Sequence, residues 1–225
     1  MFVNLSLSRL CLCLSLLMLI LCPLLVSAAE PLTAAQWFQK GYNFNAAGDY
    51  DKALLAYTKA IELNPRYAMA YNNRGNTYNS KGEYALAMAD YNSVINLGTD
   101  DLATQYAYNN RGILYAAREQ YNLAIADYNM SVKLNPKYAH AYYNRGNAYY
   151  FKDQYALAMA DYNMTIGLDP EYAYAYYGRA NTLAALGNTD EAVVNFKVFL
   201  HYAAPGDIWI AAARQRIEEL TKPAA

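Results

Sequence analysis

Small and apolar positions recur along this chain at a fixed interval. Tyr71-Asn72-Asn73-Arg74-Gly75 returns as Tyr108-Asn109-Asn110-Arg111-Gly112, and again as Tyr142-Tyr143-Asn144-Arg145-Gly146. The closing small residue extends back to Gly41 and forward to Ala180, in steps of 34, 37, 34 and 34 residues. Twelve residues beyond each member stands an alanine: Ala53, Ala87, Ala124, Ala158 and Ala192. Four further on stands an aromatic: Tyr57, Tyr91, Tyr128, Tyr162 and Phe196. A small residue on one helix facing Ala on the next lets two antiparallel helices approach closely, while the aromatic fills the space beside them. One such hairpin cannot bury its apolar faces alone, so neighbours must stack. The pattern therefore predicts an all-α solenoid of about five helix hairpins.

Turn residues punctuate the same period. Gly48, Gly82 and Gly187 are suited to end a first helix in the left-handed conformation, with Glu119 and Asp153 standing there in repeats three and four. Asn64-Pro65, Asn135-Pro136 and Asp169-Pro170 end second helices, because proline disfavours helical geometry in the residue before it. Repeat two has Thr99 where proline stands elsewhere, and its linker, near Gly98 to Thr104, is expected to carry the three extra residues. Asp207 to Leu220 reads as one more amphipathic helix, with Ile210, Ala213, Ile217 and Leu220 on one side, suited to cap the last apolar face. The expected division is a leader at 1–29, the repeat array at 30–206, and the capping helix and tail at 207–225.

With these positions in place, the chain resembles the tetratricopeptide-repeat family. Trp37, Gly41, Phe44, Ala53, Tyr57 and Pro65 match its W-x2-L-G-x2-Y, A-x3-F and P positions most fully. The resemblance runs from residue 34 to about 202. It implies a right-handed superhelical solenoid, no catalytic residues and no cofactor, with first helices lining a concave surface that binds protein. Lys40, Arg74, Arg111, Arg145 and Arg179 depart from the family leucine.

Met1 to Arg9 carries one basic residue, Leu10 to Val26 is almost wholly apolar, and Ser27-Ala28-Ala29 supplies small residues before Glu30. This is the pattern of an export signal, with cleavage after Ala28 or Ala29. The alternative is an uncleaved anchor, since about 17 apolar residues is the lower limit for a span. Cys22 follows Leu19-Ile20-Leu21 and lacks the small residue that a bacterial lipid-attachment site wants before its cysteine.

Charge narrows the partners. There are 18 Lys+Arg against 19 Asp+Glu, and Arg9 is the one charge within 1–29. Such balance argues against nucleic acid, whose binders carry a clustered basic excess, and against a polybasic membrane patch; membrane contact is expected only if the leader stays uncleaved. Cys11, Cys13 and Cys22 all lie in the leader, so after its removal no disulfide, thiolate metal site or cysteine nucleophile is available. His140 and His201 are the only imidazoles, little from which to build a zinc site or a Ser/His/Asp constellation.

Each Arg of Asn-Arg-Gly is matched sixteen residues later by an acid: Arg74 with Asp90, Arg111 with Asp127, Arg145 with Asp161. In repeat five Arg179 faces Asn195. Pairing within a repeat, or from each Asp to the next repeat's Arg, fits the spacing equally well. The binding candidates flank the small residue. Two before it stand Gln39, Asn73, Asn110, Asn144 and Gly178; one after it stand Tyr42, Asn76, Ile113, Asn147 and Asn181. Asparagine is a poor interior helix former, so propensity does not explain its recurrence, and its amide offers both a donor and an acceptor to a peptide backbone. Some tetratricopeptide domains grip peptide main chain through such an asparagine ladder, and these rows are similar.

Of the 25 tyrosines, Tyr57, Tyr91, Tyr128 and Tyr162, with Tyr50, Tyr84, Tyr121 and Tyr155 at second-helix starts, are expected in the core. Tyr42, Tyr106, Tyr143, Tyr150, Tyr174 and Tyr177 fall near the concave face, where rigid amphipathic rings give contact area at low entropy cost. The family's carboxylate clamp is not expected, because Phe38, Asn72, Asn109, Tyr143 and Tyr177 occupy the row where its lysine belongs. Asn129-Met130-Ser131 and Asn163-Met164-Thr165 are acceptor sequons at the same point of two repeats, which repetition explains. The resulting expectation is an exported, non-catalytic scaffold binding a polypeptide in a neutral Asn/Tyr groove, with self-association compatible. The alternatives are a glycan-binding module of the envelope or extracellular space, and a scaffold using its convex face.

Overall fold

The computed structural model describes residues 31–222, so the leader, its cysteines and the choice of cleavage site lie outside the described residues. Among the described residues are eleven helices and no strand. Five hairpins follow one another: α1 (Ala34–Ala46) with α2 (Tyr50–Leu63), α3 (Ala68–Ser80) with α4 (Tyr84–Leu97), and α5 (Asp101–Ala116) with α6 (Tyr121–Leu134). Then come α7 (Ala139–Tyr150) with α8 (Tyr155–Leu168), α9 (Ala173–Ala185) with α10 (Thr189–Tyr202), and a last helix, α11 (Trp209–Thr221). Each helix packs on its hairpin partner and on the next hairpin, and successive first helices also touch one another. First helices therefore form the inner layer of a solenoid.

The turns follow from their sequences. Asn64, Asn135 and Asp169 are extended ahead of their prolines, as the ring requires. Each side chain then accepts from the backbone N–H two residues on, at 3.0–3.1 Å. The three extra residues of the second interval are not in a linker. Gly98, left-handed at φ 54°, closes α4 at once, and Asp100 caps the Ala103 N–H, so the insertion becomes an added first turn of α5. That helix has 16 residues where α3 has 13.

First helices end left-handed at Gly48, Gly82 and Gly187, and also at Glu119 (φ 58°) and Asp153 (φ 55°). The hydrogen bonds are the same: Gln120 N–H reaches the Tyr115 carbonyl just as Asp49 N–H reaches that of Phe44. A side chain in this region costs about 1–2 kcal/mol. Glu119→Gly is therefore expected to stabilise the fold by about 1 kcal/mol, raising the melting temperature by roughly 2–4 °C. An unchanged or lowered melting temperature would count against that strain.

The core is a stack of aromatics on glycines. A Cβ built on Gly41, Gly75 or Gly112 would stand 2.6–2.7 Å from the ring of Tyr57, Tyr91 or Tyr128. Tyr162 is enclosed from two sides, by Gly146 and, at 2.6 Å, by Gly178 of the next repeat. In repeat five Ala180 takes the glycine's place and the smaller Phe196 fills the site. Tyr50, Tyr121 and Tyr155 are only partly buried, and Tyr84 is 51% exposed, so these four are not the core residues their positions suggested. They begin second helices at the edge of the stack, where Tyr121 stacks on the exposed Phe151 of the next repeat.

Burial pushes the hydroxyl of Tyr57 up to about 12, and those of Tyr91, Tyr128 and Tyr162 higher still. These values exceed the unfolded one, so the stabilisation from keeping the phenols neutral is complete below about pH 10 and is lost as pH climbs through the folded values. Each tyrosine that ionises only on unfolding removes about 1.4 kcal/mol per pH unit in that window. The denaturant midpoint, followed by far-UV circular dichroism, should fall between about pH 10 and 12; a flat midpoint would contradict this core.

The arginines pair within their own repeat. Arg74, Arg111 and Arg145 each donate through Nε and Nη2 to both oxygens of Asp90, Asp127 and Asp161, at 2.7–2.8 Å. Nη1 crosses to the preceding repeat, meeting Thr58, Asn92 and Asn129 in turn. Each guanidinium thus ties one hairpin to the next, while a tyrosine three residues earlier packs against its face at 5.3–5.5 Å. The carboxylates hold these guanidinium groups above their ordinary value. At Asp90 burial outweighs the opposing pull of Arg74 and raises the carboxyl, yet the bidentate geometry is that of an ionised pair. Arg179 meets only amides, Asn195 and Asn163, and burial lowers it instead.

The same clamp accounts for both sequons. Asn129 and Asn163 accept from Arg145 and Arg179 at 2.6–2.7 Å, and the Ser131 and Thr165 hydroxyls are fully buried. After α10, Gly206 turns the chain and α11 lays Ala213, Ile217 and Leu220 on Phe196, Phe199 and Leu183. Ile210 is half-buried on the same helix, while Arg214 and Gln215 face outward.

Candidate functional site

The asparagine rows lie on the first helices, and most of their amides are already engaged. Asn110 Nδ2 donates to Asn76 Oδ1 at 2.9 Å and to Asn72 Oδ1 at 3.4 Å, and its own Oδ1 accepts from Asn109. Asn144 Nδ2 donates to Asn109 Oδ1 at 2.9 Å. These bonds stitch α3 to α5 and α5 to α7, with Asn72 and Asn109 buried between the helices. Asn110 has both N–H groups engaged and one Oδ1 lone pair left; Asn144 keeps its carbonyl and one N–H. Asn73 makes no side-chain hydrogen bond among the described residues and is half-exposed.

The second row has a more specific role. Asn76 and Asn147 accept, through Oδ1, the buried hydroxyls of Tyr91 and Tyr162, both at 2.8 Å. A phenol inside a core needs such a partner, and the residue immediately after the glycine is where its oxygen emerges. In repeat five the core aromatic is Phe196, which has no hydroxyl, and Asn181 instead donates to the Tyr177 carbonyl. Asn147 also hydrogen-bonds the Tyr143 hydroxyl, which opposes the upward push of burial on that tyrosine.

The tyrosine candidates separate. Tyr42 is 56% exposed on α1, at the far end of the array. Tyr106 packs edge-on to Tyr138. Tyr143 and Tyr177 come together with Tyr150, Phe151, Tyr174 and Trp209 around a pocket of about 220 Å³ between α7, α9 and α11. Tyr162 forms its floor, and Gly178, which lacks the side chain that Asn73, Asn110 and Asn144 carry in the same row, leaves room above it. Asn147 and Asn181 complete the lining, which contains no charged residue. A second, shallower groove of about 420 Å³ continues along α5 and α7 past Ile113, Asn144, Asn147 and Phe151.

Four of the ten predicted site residues, Asn147, Asn181, Tyr143 and Tyr177, therefore share one pocket; Asn73, Asn76, Asn110, Tyr42 and Tyr106 lie elsewhere, and Asn144 lines the adjoining groove. Phe151, Trp209 and Gly178 were not singled out by sequence as binding residues. Gly178 carried a signal, the one break in a polar row. Trp209 carried none, since only the packing of α11 on the last hairpin brings it to Tyr177, with ring centroids 5.5 Å apart. Among the described residues no helix is long and apolar enough to cross a membrane.

Comparison with known proteins places this geometry. A family model described as TPR repeat matches residues 41–79 and 112–152, and one described as tetratricopeptide repeat matches 68–97 and 139–172. No curated protein matches the chain. Among solved structures, MamA is 27% identical, with 75% of this chain and 91% of that one covered at a TM-score of 0.63. A tetratricopeptide-repeat protein from Parabacteroides merdae is 25% identical over 83% of this chain and 72% of that one, TM-score 0.66. YrrB, described as a TPR protein with an unusual peptide-binding site, is 21% identical over 85% and 95%, TM-score 0.62, a likeness of fold. These are solenoids of the kind that serve as protein-interaction scaffolds and are generally non-catalytic. Taken with the repeated Gly, Ala and aromatic contacts, the two family models, which together span 41–97 and 112–172, show that this chain carries tetratricopeptide repeats.

Proposed function

We propose that the protein is an exported, non-catalytic scaffold that holds an extended polypeptide along the concave face of repeats three to five. The observation that carries this reading is the uncharged aromatic pocket of α7, α9 and α11, lined also by Asn147, whose carbonyl oxygen is fixed by the core hydroxyl of Tyr162. Side chains held by a second layer of hydrogen bonds present a pre-ordered surface, which lowers the entropy cost of binding. Asn144, Asn147 and Asn181 retain donors or acceptors for a peptide backbone, as does Asn73 outside this stretch, in repeat two; Asn110 and Asn76 act mainly by bracing successive first helices. YrrB's described peptide site shows that the fold has served such a purpose in another protein.

The test is selection from a random displayed-peptide library, on the parent protein and on Phe151→Ala/Trp209→Ala, whose native side chains are 62% and 44% exposed and so are separable from the fold. Peptides should be enriched by the parent and lost by the variant at equal helicity, with affinity nearly independent of salt because the lining is neutral. Failure to enrich any peptide would defeat the reading; capture of polysaccharide in its place, dependent on the same rings, would move it to carbohydrate. For export, the mature protein is expected to begin at Ala29 or Glu30, which mass spectrometry of the secreted or periplasmic form decides.

A further inference from the structure

The pocket between α7, α9 and α11 has an uneven polarity. Asn147 spends its carbonyl on Tyr162 and meets the Tyr143 hydroxyl with its amide, so the free proton of that pair belongs to a donor. The Trp209 indole can only donate. Tyr150 and Tyr177 have hydroxyls with no recorded partner among the described residues, and these can donate as well. Asn181 Oδ1 is the one amide oxygen of the lining left without a partner. The surface is therefore rich in aromatic faces and N–H and O–H donors, its acceptors are the Asn181 carbonyl and the oxygens of those same hydroxyls, and it carries no charge.

An ordinary extended peptide brings one N–H for each carbonyl, and each N–H it buried here would have to reach the Asn181 carbonyl or a tyrosine hydroxyl oxygen. A run of prolines brings carbonyls and no N–H at all. Its polyproline II backbone makes no internal hydrogen bonds, so the carbonyls project outward, and its rings pack on aromatic shelves at small ordering cost. We infer that the pocket takes an uncharged, proline-rich segment of the partner polypeptide, rings seated against Phe151, Tyr177 and Trp209, carbonyls received by the Trp209 indole and the tyrosine hydroxyls. This rests on the polypeptide reading above and names the class of segment it binds.

Trp37 and Trp209 are the only tryptophans, and Trp37 lies in α1, so Trp37→Phe leaves Trp209 as the single indole reporter. Acetyl-hexaproline amide is titrated into this otherwise full protein, followed by Trp209 emission, beside an acetyl-(Gly-Ala)3 amide control. The proline peptide should shift the emission saturably where the control does not, and Phe151→Ala should weaken it about tenfold. An equal response to the control, no response to proline, or indifference to Phe151→Ala would each overturn the inference. The library selection separates the two failures: if it yields binders without proline, only this inference falls, and if it yields none, the polypeptide reading falls with it.

Discussion

Replacing Arg145 with alanine is expected to destabilise the protein by about 3–5 kcal/mol, a loss on the order of 10 °C or more in melting temperature. The cost comes less from the attraction removed than from the carboxylate left behind. Asp161 is 4% exposed and receives both of its guanidinium hydrogen bonds from Arg145. Without them it stays desolvated and unpaired. Removing both charges together, as Arg145→Met/Asp161→Leu, should restore most of the loss, because an apolar pair of similar bulk has no desolvation to repay. Urea unfolding of the two variants makes the comparison; a double variant as unstable as the single one would contradict this account. Repeat five shows the direction naturally, since Arg179 holds its place there on the neutral Asn195 and Asn163.

Gly112→Ala is expected to cost about 1–3 kcal/mol through overpacking. Its Cβ would sit 2.6 Å from the Tyr128 ring, which is itself enclosed and cannot retreat. The fifth repeat again supplies the compensating partner, for there an alanine, Ala180, coexists with a phenylalanine, Phe196. Adding Tyr128→Phe to Gly112→Ala should therefore recover part of the loss. Unlike Tyr91 and Tyr162, Tyr128 has Ile113 rather than an asparagine beside its hydroxyl, so removing that hydroxyl sacrifices no amide partner. A double-mutant cycle should show coupling of about 1 kcal/mol between the two positions; strict additivity would mean the close approach is relieved elsewhere.

The period of the chain was enough to place every hairpin, because the spacing of small residue, alanine and aromatic is itself the packing interface. What it left ambiguous was long-range and chemical. The Arg–Asp spacing of sixteen allowed two pairings, and only the approach of the two helices within one hairpin chose between them. The insertion near Gly98 read as linker because its helix-forming capacity depends on the Asp100 cap. The asparagines were visible as anomalies, but their division into braces and free amides hinged on which core aromatic carried a hydroxyl, Tyr91 and Tyr162 against Phe196. Trp209 joined the pocket through the docking of α11; the amphipathic pattern of 207–220 marked the docking face but not that Trp209 would meet Tyr177.

The most direct test of the central claim is to map a selected peptide onto the protein by NMR, following the side-chain amides of the asparagines and the Trp209 indole N–H. The account predicts that Asn144, Asn147, Asn181 and Trp209 shift together on saturation while Asn92, Asn129 and Asn163, which anchor arginines from the second helices, stay fixed. Shifts confined to the second-helix asparagines, with Asn147 and Trp209 unmoved, would place binding on the convex side and contradict it.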